Sequence, residues 1–545
     1  MTSRLPKILG GLSAAMVVLA GLTAFTGLAL AEEPLPAEDG AARVIKLLDE
    51  WQVYEARLEL DALRKIYPND ALLGYALSRT LFLEGQYADA LGILDAAVPK
   101  LPAEAQPALA QFRREVAKSA DALKGFDELV TPDRRFRIRY QAKDALLMPF
   151  LVEVLTRQDE ALATDFGGRP EGQVLVEIYP DVTYLAKVSP LTEKDLETSG
   201  TIALCKYNRL MVTSPRATVK GYGWRDTVAH ELVHYYISKH SADTVPIWLH
   251  EGLAKFHETR WRAMPGTTPL DPPQEDLLTR SLAADKLVTF QQMHPSMAKL
   301  PSQEAAALAF AEVHMVIDEL WRRKGHAALV RLIGRLRAGD AMDAALSATY
   351  GVDLDGLWRV WKKAMKSRGF RTYKGLVRTS LKFKRPGQAA DADDDPDLST
   401  ITEKKVKDLA HLGELLRARG RHVAALSEYR KATVLGGDGN PLLQNGTAAS
   451  LLVLGRPEEV PALLERVRSY YPGHVNTFVN LGEAHLKLGD SDKAREAFEA
   501  AVELNPFHPR LHEALSALYT AAGRTAEAER SRAALSRLQA LGSPN

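Results

Sequence analysis

The sequence predicts an α+β multidomain protein, in which a central domain of strands and helices lies between two helical segments. Short runs between residues 135 and 213 have the alternating or uniformly apolar character of strands. Apolar residues recur at helical spacing before and after that region. Near the C-terminus, Gly420, Gly455, Gly489 and Gly523 recur at intervals of 34 or 35 residues, which indicates repeated helix pairs.

Length and composition restrict the class of protein. A chain of 545 residues is long enough for several domains, each with its own core. The net charge of +1 gives no electrostatic reason to expect nucleic acid as a partner. Cys205 is the only cysteine, which excludes an internal disulfide and a cysteine-rich zinc site.

The N-terminus has the pattern of a secretory signal. Arg4 and Lys7 precede an apolar run, residues 8–30, which ends in a small-residue site at Ala29-Leu30-Ala31. We therefore predict a signal peptide over residues 1–31 and an exported, periplasmic protein. Alternatively, the protein is secreted, or residues 8–30 stay uncleaved as an inner-membrane anchor, which is the one way we expect it to contact a membrane.

We predict a first helical segment over residues 41–126. Its apolar residues lie at helical spacing, with a break at residues 67–70 and a turn at Gly85. The pattern of small and large residues resembles a degenerate tetratricopeptide repeat of one to two units.

Residues 127–375 predict the central domain. Strands are expected at residues 135–140 and 174–179, with a helix around 146–166 between them. Residues 201–206 and 209–213 predict a β-hairpin that turns at Tyr207-Asn208. Either hairpin strand is a candidate edge strand to which an extended peptide adds, or the strands only shield the core. Further helices are expected around 274–287, 305–323, 327–337, 341–349 and 351–365.

The motif His230-Glu231-Leu232-Val233-His234 carries the chemistry of this domain. On a helix, the two histidines lie one turn apart on one face, a spacing that suits two nitrogen ligands of one tetrahedral metal, most often zinc. Glu231 projects about 100° away and can take a proton from a metal-bound water without being a ligand. With 14 histidines in the chain, such a motif is expected by chance only about 0.02 times.

A catalytic zinc needs a third protein ligand, and two residues compete for that role. His240 lies six residues after His234, as in the metzincin pattern, but that pattern has glycine where this chain has Ile237. Glu251 lies on a second expected helix after Pro246 and is followed by Gly252, which permits close helix packing.

The motif together with Pro246-Ile247-Trp248-Leu249-His250-Glu251-Gly252-Leu253-Ala254 resembles the gluzincin clan of zinc metallopeptidases. More narrowly, residues 130–372 resemble the peptidase MA-like domain that often accompanies tetratricopeptide repeats. The resemblance implies a thermolysin-like zincin fold, peptide or protein substrates, zinc bound by His230, His234 and Glu251, and Glu231 as the catalytic base.

The chain departs from the gluzincin pattern around the metal ligands. Lys255 stands where related enzymes have an aspartate that orients a ligand histidine, and Glu258 or Asp226 are the alternatives. For the oxyanion stabiliser, His314 is a weak candidate, because related domains often carry a tyrosine near the place of Phe310.

We predict a solvated acidic linker over residues 376–400. They contain five aspartates, Asp391, Asp393, Asp394, Asp395 and Asp397, and such runs are usually solvated and rarely bind metal.

Residues 401–545 predict a tetratricopeptide array. Residues 475–506 match the repeat pattern best. Such arrays commonly bind peptides or proteins on a concave face, so we expect it to recruit partners or substrates, with a passive scaffold as the alternative. The alternative for the whole chain is an envelope assembly protein with an inactive or structural zincin domain.

Overall fold

The computed structural model describes residues 35–378, 380–384, 396–437 and 439–542. The predicted signal peptide and the aspartates at 391–395 therefore lie outside the described residues. Within the described part of the chain, none of the helices combines the length and apolar character needed to cross a bilayer.

Five helices form the N-terminal segment: α1 (Ala37–Asp49), α2 (Val53–Ile66), α3 (Ala71–Leu83), α4 (Tyr87–Ala97) and α5 (Gln106–Ala122). The predicted break before α3 is a helix cap, since the Asp70 carboxylate accepts the Leu73 backbone N–H at 2.9 Å. Gly85 joins α3 to α4 at a positive φ of 77°, and a Cβ there would lie 2.4 Å from Leu175 of the sheet. The turn glycine therefore also permits this segment to pack closely on the central domain.

Tyr87 of α4 fixes the N-terminal segment to a buried ion pair within the sheet. Arg209 and Glu177 are both fully buried, with 3.3 Å between the guanidinium Nε and the carboxylate. The Tyr87 hydroxyl donates to the same carboxylate at 2.6 Å and the Tyr179 hydroxyl at 2.5 Å. Because the buried carboxylate has several partners, its desolvation is compensated.

A five-stranded mixed sheet forms one layer of the central domain. Its strands are β1 (Asp127–Val130), β2 (Phe136–Tyr140), β3 (Val174–Tyr179), β4 (Ala203–Lys206) and β5 (Arg209–Thr213), in the order β1-β2-β3-β5-β4. The predicted hairpin is confirmed, because β4 and β5 are antiparallel and Tyr207 and Asn208 both have positive φ, at 55° and 59°. β1 was not predicted. β4 is an edge strand, whereas β5 is paired on both sides.

Helices complete the domain: α6 (Met148–Asp165), α7 (Val182–Val188), α8 (Glu193–Ser199), α9 (Trp224–Ser241), α10 (Ile247–His257), α11 (Pro272–Ala284), α12 (Gln303–Lys324), α13 (His326–Arg337), α14 (Met342–Tyr350) and α15 (Leu354–Arg368). α9 is the central helix, buried on nearly all sides between the sheet, α6 and α10. α10 packs tightly on α12, because a Cβ on Gly252 would lie 2.8 Å from Ile317 and 3.0 Å from the Val313 carbonyl oxygen.

In the described residues from 396 onward, one short helix precedes four helix pairs: α16 (Pro396–Ser399), α17 (Lys404–Ala418), α18 (His422–Ala432), α19 (Pro441–Val453), α20 (Val460–Tyr470), α21 (Val475–Lys487), α22 (Ser491–Leu504), α23 (Pro509–Ala521) and α24 (Thr525–Gly542). The four glycines at the repeat interval all lie between the two helices of a pair, with φ of 70–80°. The interval in the sequence is therefore the repeat of one helix-turn-helix unit.

The prediction that the acidic linker is solvated is wrong at its end. Asp397 is 1% exposed and accepts from His474 Nε2 at 2.7 Å and from Lys220. Upstream, the Val219 N–H donates to the Lys382 carbonyl at 3.0 Å. A carboxylate with a lysine and a histidine partner can be buried, which a count of aspartates does not show.

The repeat array contacts the start of α9 directly. The Tyr222 N–H donates to the Leu504 carbonyl at 3.0 Å, and Arg225 forms an ion pair of 2.5 Å with Glu503. Both residues of the repeat lie at the end of α22. The helix pairs are thus packed against the helix that carries the histidine motif.

Candidate metal centre

Three ligand-type side chains converge from α9 and α10. His230 and His234 lie one turn apart on α9, and their Nε2 atoms are 3.5 Å and 3.3 Å from one oxygen of Glu251 on α10. All three ligand atoms lie within 4.8 Å of one another. Two imidazole nitrogens and a carboxylate oxygen at this separation fit a zinc-type cation.

The charges at this cluster also favour a cation. Burial lowers the pKa of His230, but hydrogen bonds to Glu251 and Glu258 raise it to about 10. Burial opposes ionisation of Glu251, yet His234 and His230 hold its pKa well below the ordinary value. A bound metal ion would replace the proton on His230, because only a neutral imidazole is a ligand.

Glu231 is buried beside the cluster and is only partly hydrogen-bonded. It is 4% exposed, and its Oε2 atom has no hydrogen-bond partner among the described residues. The backbone N–H of Cys205 on β4 interacts with this carboxylate and favours its ionised form. Burial raises its pKa, against the opposing effect of His234 and His230. A fixed carboxylate with one unpaired oxygen and a raised pKa has the properties of a general base.

Glu258 contacts the ring nitrogen of His230 that does not face Glu251. Its carboxylate lies 3.2 Å from His230 Nδ1, and its other oxygen accepts from Lys255 Nζ at 2.5 Å. Because the carboxylate accepts the Nδ1 proton, the Nε2 lone pair of His230 is left for a metal. The sequence left Glu258 and Asp226 as alternatives, and the structure brings Glu258 to the ligand. Lys255 is therefore the partner of this carboxylate.

His250 is the residue that sequence reasoning missed. Its Nδ1 is 2.5 Å from His234 Nδ1, and its Nε2 is 3.2 Å from Ser238 Oγ. Burial and the neighbouring His234 hold the pKa of His250 well below its ordinary value, so it is neutral and can accept the His234 proton. The only sequence signal was its position beside Glu251, which specifies no contact.

The rival third ligand, His240, lies outside the cluster. α9 continues through Ile237 to Ser241, so no turn occurs at the position of the metzincin glycine. Six helical residues after His234, the His240 ring points to another face, where it lies 5.6 Å from the Phe166 ring.

Two further predicted residues also lie elsewhere. Asp226 accepts from Trp261 Nε1 at 2.9 Å and pairs with Arg262. His314 packs against Phe256, with 6.0 Å between ring centroids, and among the described contacts none joins it to the three ligand groups. Burial lowers the pKa of His314 to about 4, with Lys255 contributing. The ring nearest to His230 on α12 is Phe310, at 6.1 Å, which has no proton to donate.

Comparison with known families identifies the region that holds the cluster. Residues 157–367 match the Peptidase MA superfamily. The chain therefore contains a Peptidase MA superfamily domain. Residues 451–518 match a tetratricopeptide repeat family, within the predicted array. The expected combination of an MA-like peptidase domain with these repeats is confirmed. No curated protein matches the chain.

Solved structures give only weak overall similarity. A crystal structure of MamA is 19% identical, covers 36% of this chain and 94% of its own, and superposes with a TM-score of 0.23. The Cut9-Hcn1 hetero-tetramer of the APC/C is 13% identical, with coverage of 93% and 80% and a TM-score of 0.25.

Proposed function

We propose that the Peptidase MA domain is a zinc-dependent peptidase, with His230, His234 and Glu251 as metal ligands and Glu231 as the general base. The observation that carries the proposal is the state of Glu231. A site that only held a structural ion would have no need for a buried carboxylate with an unpaired oxygen beside the ligands. The family match supports a peptidase, and the donor set supports zinc.

Each protein group has a defined task in this proposal. The metal, when bound, supplies a Lewis acid that polarises a peptide carbonyl and acidifies a water. Glu231 takes the proton from the water and passes it to the leaving amine. The unpaired Oε2 atom of Glu231 is available to hold that proton. Glu258 and His250 keep the two histidines in the tautomer that binds through Nε2.

We further propose that β4 aligns the substrate by strand addition. The Thr213 N–H donates to the Ile202 carbonyl at 2.8 Å, so in the antiparallel ladder the backbone groups of Ala203 and Cys205 point away from β5. The Cys205 N–H is used by Glu231, which leaves Ala203 as the pairing position. Strand β5 is paired on both sides, so it offers no free edge to a peptide, which supports β4 as the strand in this proposal.

The repeat segments and the N-terminus complete the proposal. We propose that the C-terminal repeats bind protein partners or substrates, because this is the common use of such arrays. We also propose export to the periplasm, which is supported by the sequence pattern of residues 1–31.

The test of the proposed function is the variant Glu231→Gln. The amide keeps the size of the side chain but cannot take a proton. We expect zinc content equal to that of the wild type and peptide hydrolysis slower by about 10²- to 10⁴-fold. A useful control is Asp226→Asn, which changes a carboxylate on the same helix outside the cluster. Wild-type turnover by Glu231→Gln would refute the assignment.

A further inference from the structure

A second cluster of metal-ligand side chains lies where three helices of the central domain meet. Asp165 ends α6, His257 ends α10, and His326 begins α13. One nitrogen of each histidine and one carboxylate oxygen of Asp165 lie within 4.8 Å of one another. None of these residues belongs to the motif or to the first cluster.

The two histidines have defined tautomers. His257 Nδ1 lies 2.9 Å from the Leu253 carbonyl oxygen, and His326 Nε2 lies 2.7 Å from the Asp165 carbonyl oxygen. A carbonyl oxygen can only accept, so both of these nitrogens carry the proton. Each ring, when neutral, therefore keeps a lone pair on its other nitrogen. A backbone carbonyl that fixes the tautomer in this way is typical of histidines that bind metals.

The remaining nitrogen of each ring is buried and lacks a hydrogen-bond partner within the described ranges. His257 Nε2 and His326 Nδ1 are inaccessible to solvent, and neither has a hydrogen-bond partner in the described part of the chain. His257 as a whole is fully buried. Buried acceptors are nearly always satisfied, so a pair of unsatisfied imidazole nitrogens beside a carboxylate indicates a missing cation or donor.

The surroundings define how such a cation would be held. Arg260 pairs with Asp165, and its Nε lies 2.9 Å from one carboxylate oxygen. The cluster therefore already contacts one cationic side chain. The second contact of this guanidinium, to the other oxygen, is 3.4 Å long. A carboxylate has lone pairs for both a guanidinium and a metal ion. Asp165 and His326 are half-buried, whereas His257 is buried.

We propose that Asp165, His257 and His326 form a second binding site for a divalent transition-metal ion of the zinc type. Two imidazoles and one carboxylate favour zinc over magnesium or calcium, which prefer oxygen ligands. The ion would join α6, α10 and α13. His257 is adjacent to Glu258, which contacts His230. The ion would therefore also fix the end of α10 that carries Glu258. Its role is structural, and it does not depend on the proposed peptidase activity.

The experiment measures zinc bound by the full-length protein after stripping and reloading with zinc alone. Four forms are compared: wild type, His234→Gln, His326→Gln and the double variant. We expect about two zinc ions per chain in the wild type, about one in each single variant and none in the double variant. Reloading with magnesium should give no such occupancy, because the site lacks the oxygen ligands magnesium prefers.

Two more variants separate a ligand from a merely structural residue. Asp165→Asn should lower zinc occupancy in the same way as His326→Gln, and circular dichroism should report folded protein in both. His294→Gln, at an exposed histidine, should leave zinc content unchanged. In the His234→Gln protein, zinc should raise the Tm, and this increase should disappear when His326→Gln is added. The proposal is overturned if the wild type binds only one zinc that His234→Gln removes, or if His326→Gln and Asp165→Asn retain two.

Discussion

Replacing Glu258 tests whether the carboxylate that contacts His230 Nδ1 controls metal binding. Its carboxylate lies 3.2 Å from His230 Nδ1, and Lys255 and His230 lower its pKa to about 2 against the effect of burial, so it is ionised at neutral pH. Loss of such a partner weakens metal binding by about 10- to 100-fold. Glu258→Gln keeps a neutral acceptor, so we expect about tenfold, which corresponds to about 1.4 kcal/mol. Glu258→Ala removes the acceptor, and we expect about 100-fold.

The assay is zinc affinity, measured by competition with a chelator at neutral pH. Glu319→Gln is the matched control, because it breaks an ion pair of 2.8 Å with Arg323 on α12. Since both Glu258 variants leave Lys255 without its carboxylate, Lys255→Met combined with Glu258→Gln separates metal orientation from an unpaired ammonium group. An affinity equal to wild type in Glu258→Ala would show that His230 does not depend on this carboxylate.

Three further predictions concern stability. Burial raises the pKa of Glu312 to about 8, while the Val288 N–H opposes the shift, so the folded state loses stability as pH rises from about 4.5 to about 8. Glu312→Gln should remove this loss and raise the free energy of unfolding at pH 8 by on the order of 2 kcal/mol. An equal gain at pH 4 would contradict the raised pKa of Glu312 as the cause. Gly252→Ala should destabilise the domain by about 1–3 kcal/mol and weaken zinc binding, because the new Cβ would lie 2.8 Å from Ile317. Gly334→Ala, with open space around its Cβ, should instead stabilise α13 by about 0.5–1 kcal/mol in thermal denaturation.

The elements that the sequence predicted well are those with a strong local signal. β3 occupies the predicted residues, and the hairpin turns at Tyr207 and Asn208, as expected for a two-residue loop. The glycine interval gave the repeat array, because one helix pair has a fixed length. β1 was missed because its four residues are mostly exposed and show no apolar periodicity.

The two histidines of the motif could be predicted from their spacing, whereas the residues that contact them depend on tertiary structure. His230 and His234 share a face of any helix, and Ile237 predicted that α9 would not turn toward His240. No periodicity specifies which carboxylate reaches a histidine on a neighbouring helix, so Glu258 stayed one of two alternatives. His250 was missed for the same reason.

The burial of Asp397 shows a second limit of sequence patterns. A run of aspartates predicts solvation on average, but Lys220 and His474 come from distant parts of the chain. The same holds for Asp165, His257 and His326, which no motif connects. Clusters built from three separate helices become visible only in the fold.

The most direct test of the central claim is a peptide-library digest by zinc-loaded wild type and Glu231→Gln, with zinc content measured on the same samples. We predict equal zinc in both proteins, defined cleavage products from the wild type and essentially none from the variant. Equal zinc with identical products from both proteins would contradict the role of Glu231, and zinc binding without any cleavage by the wild type would contradict the proposed peptidase.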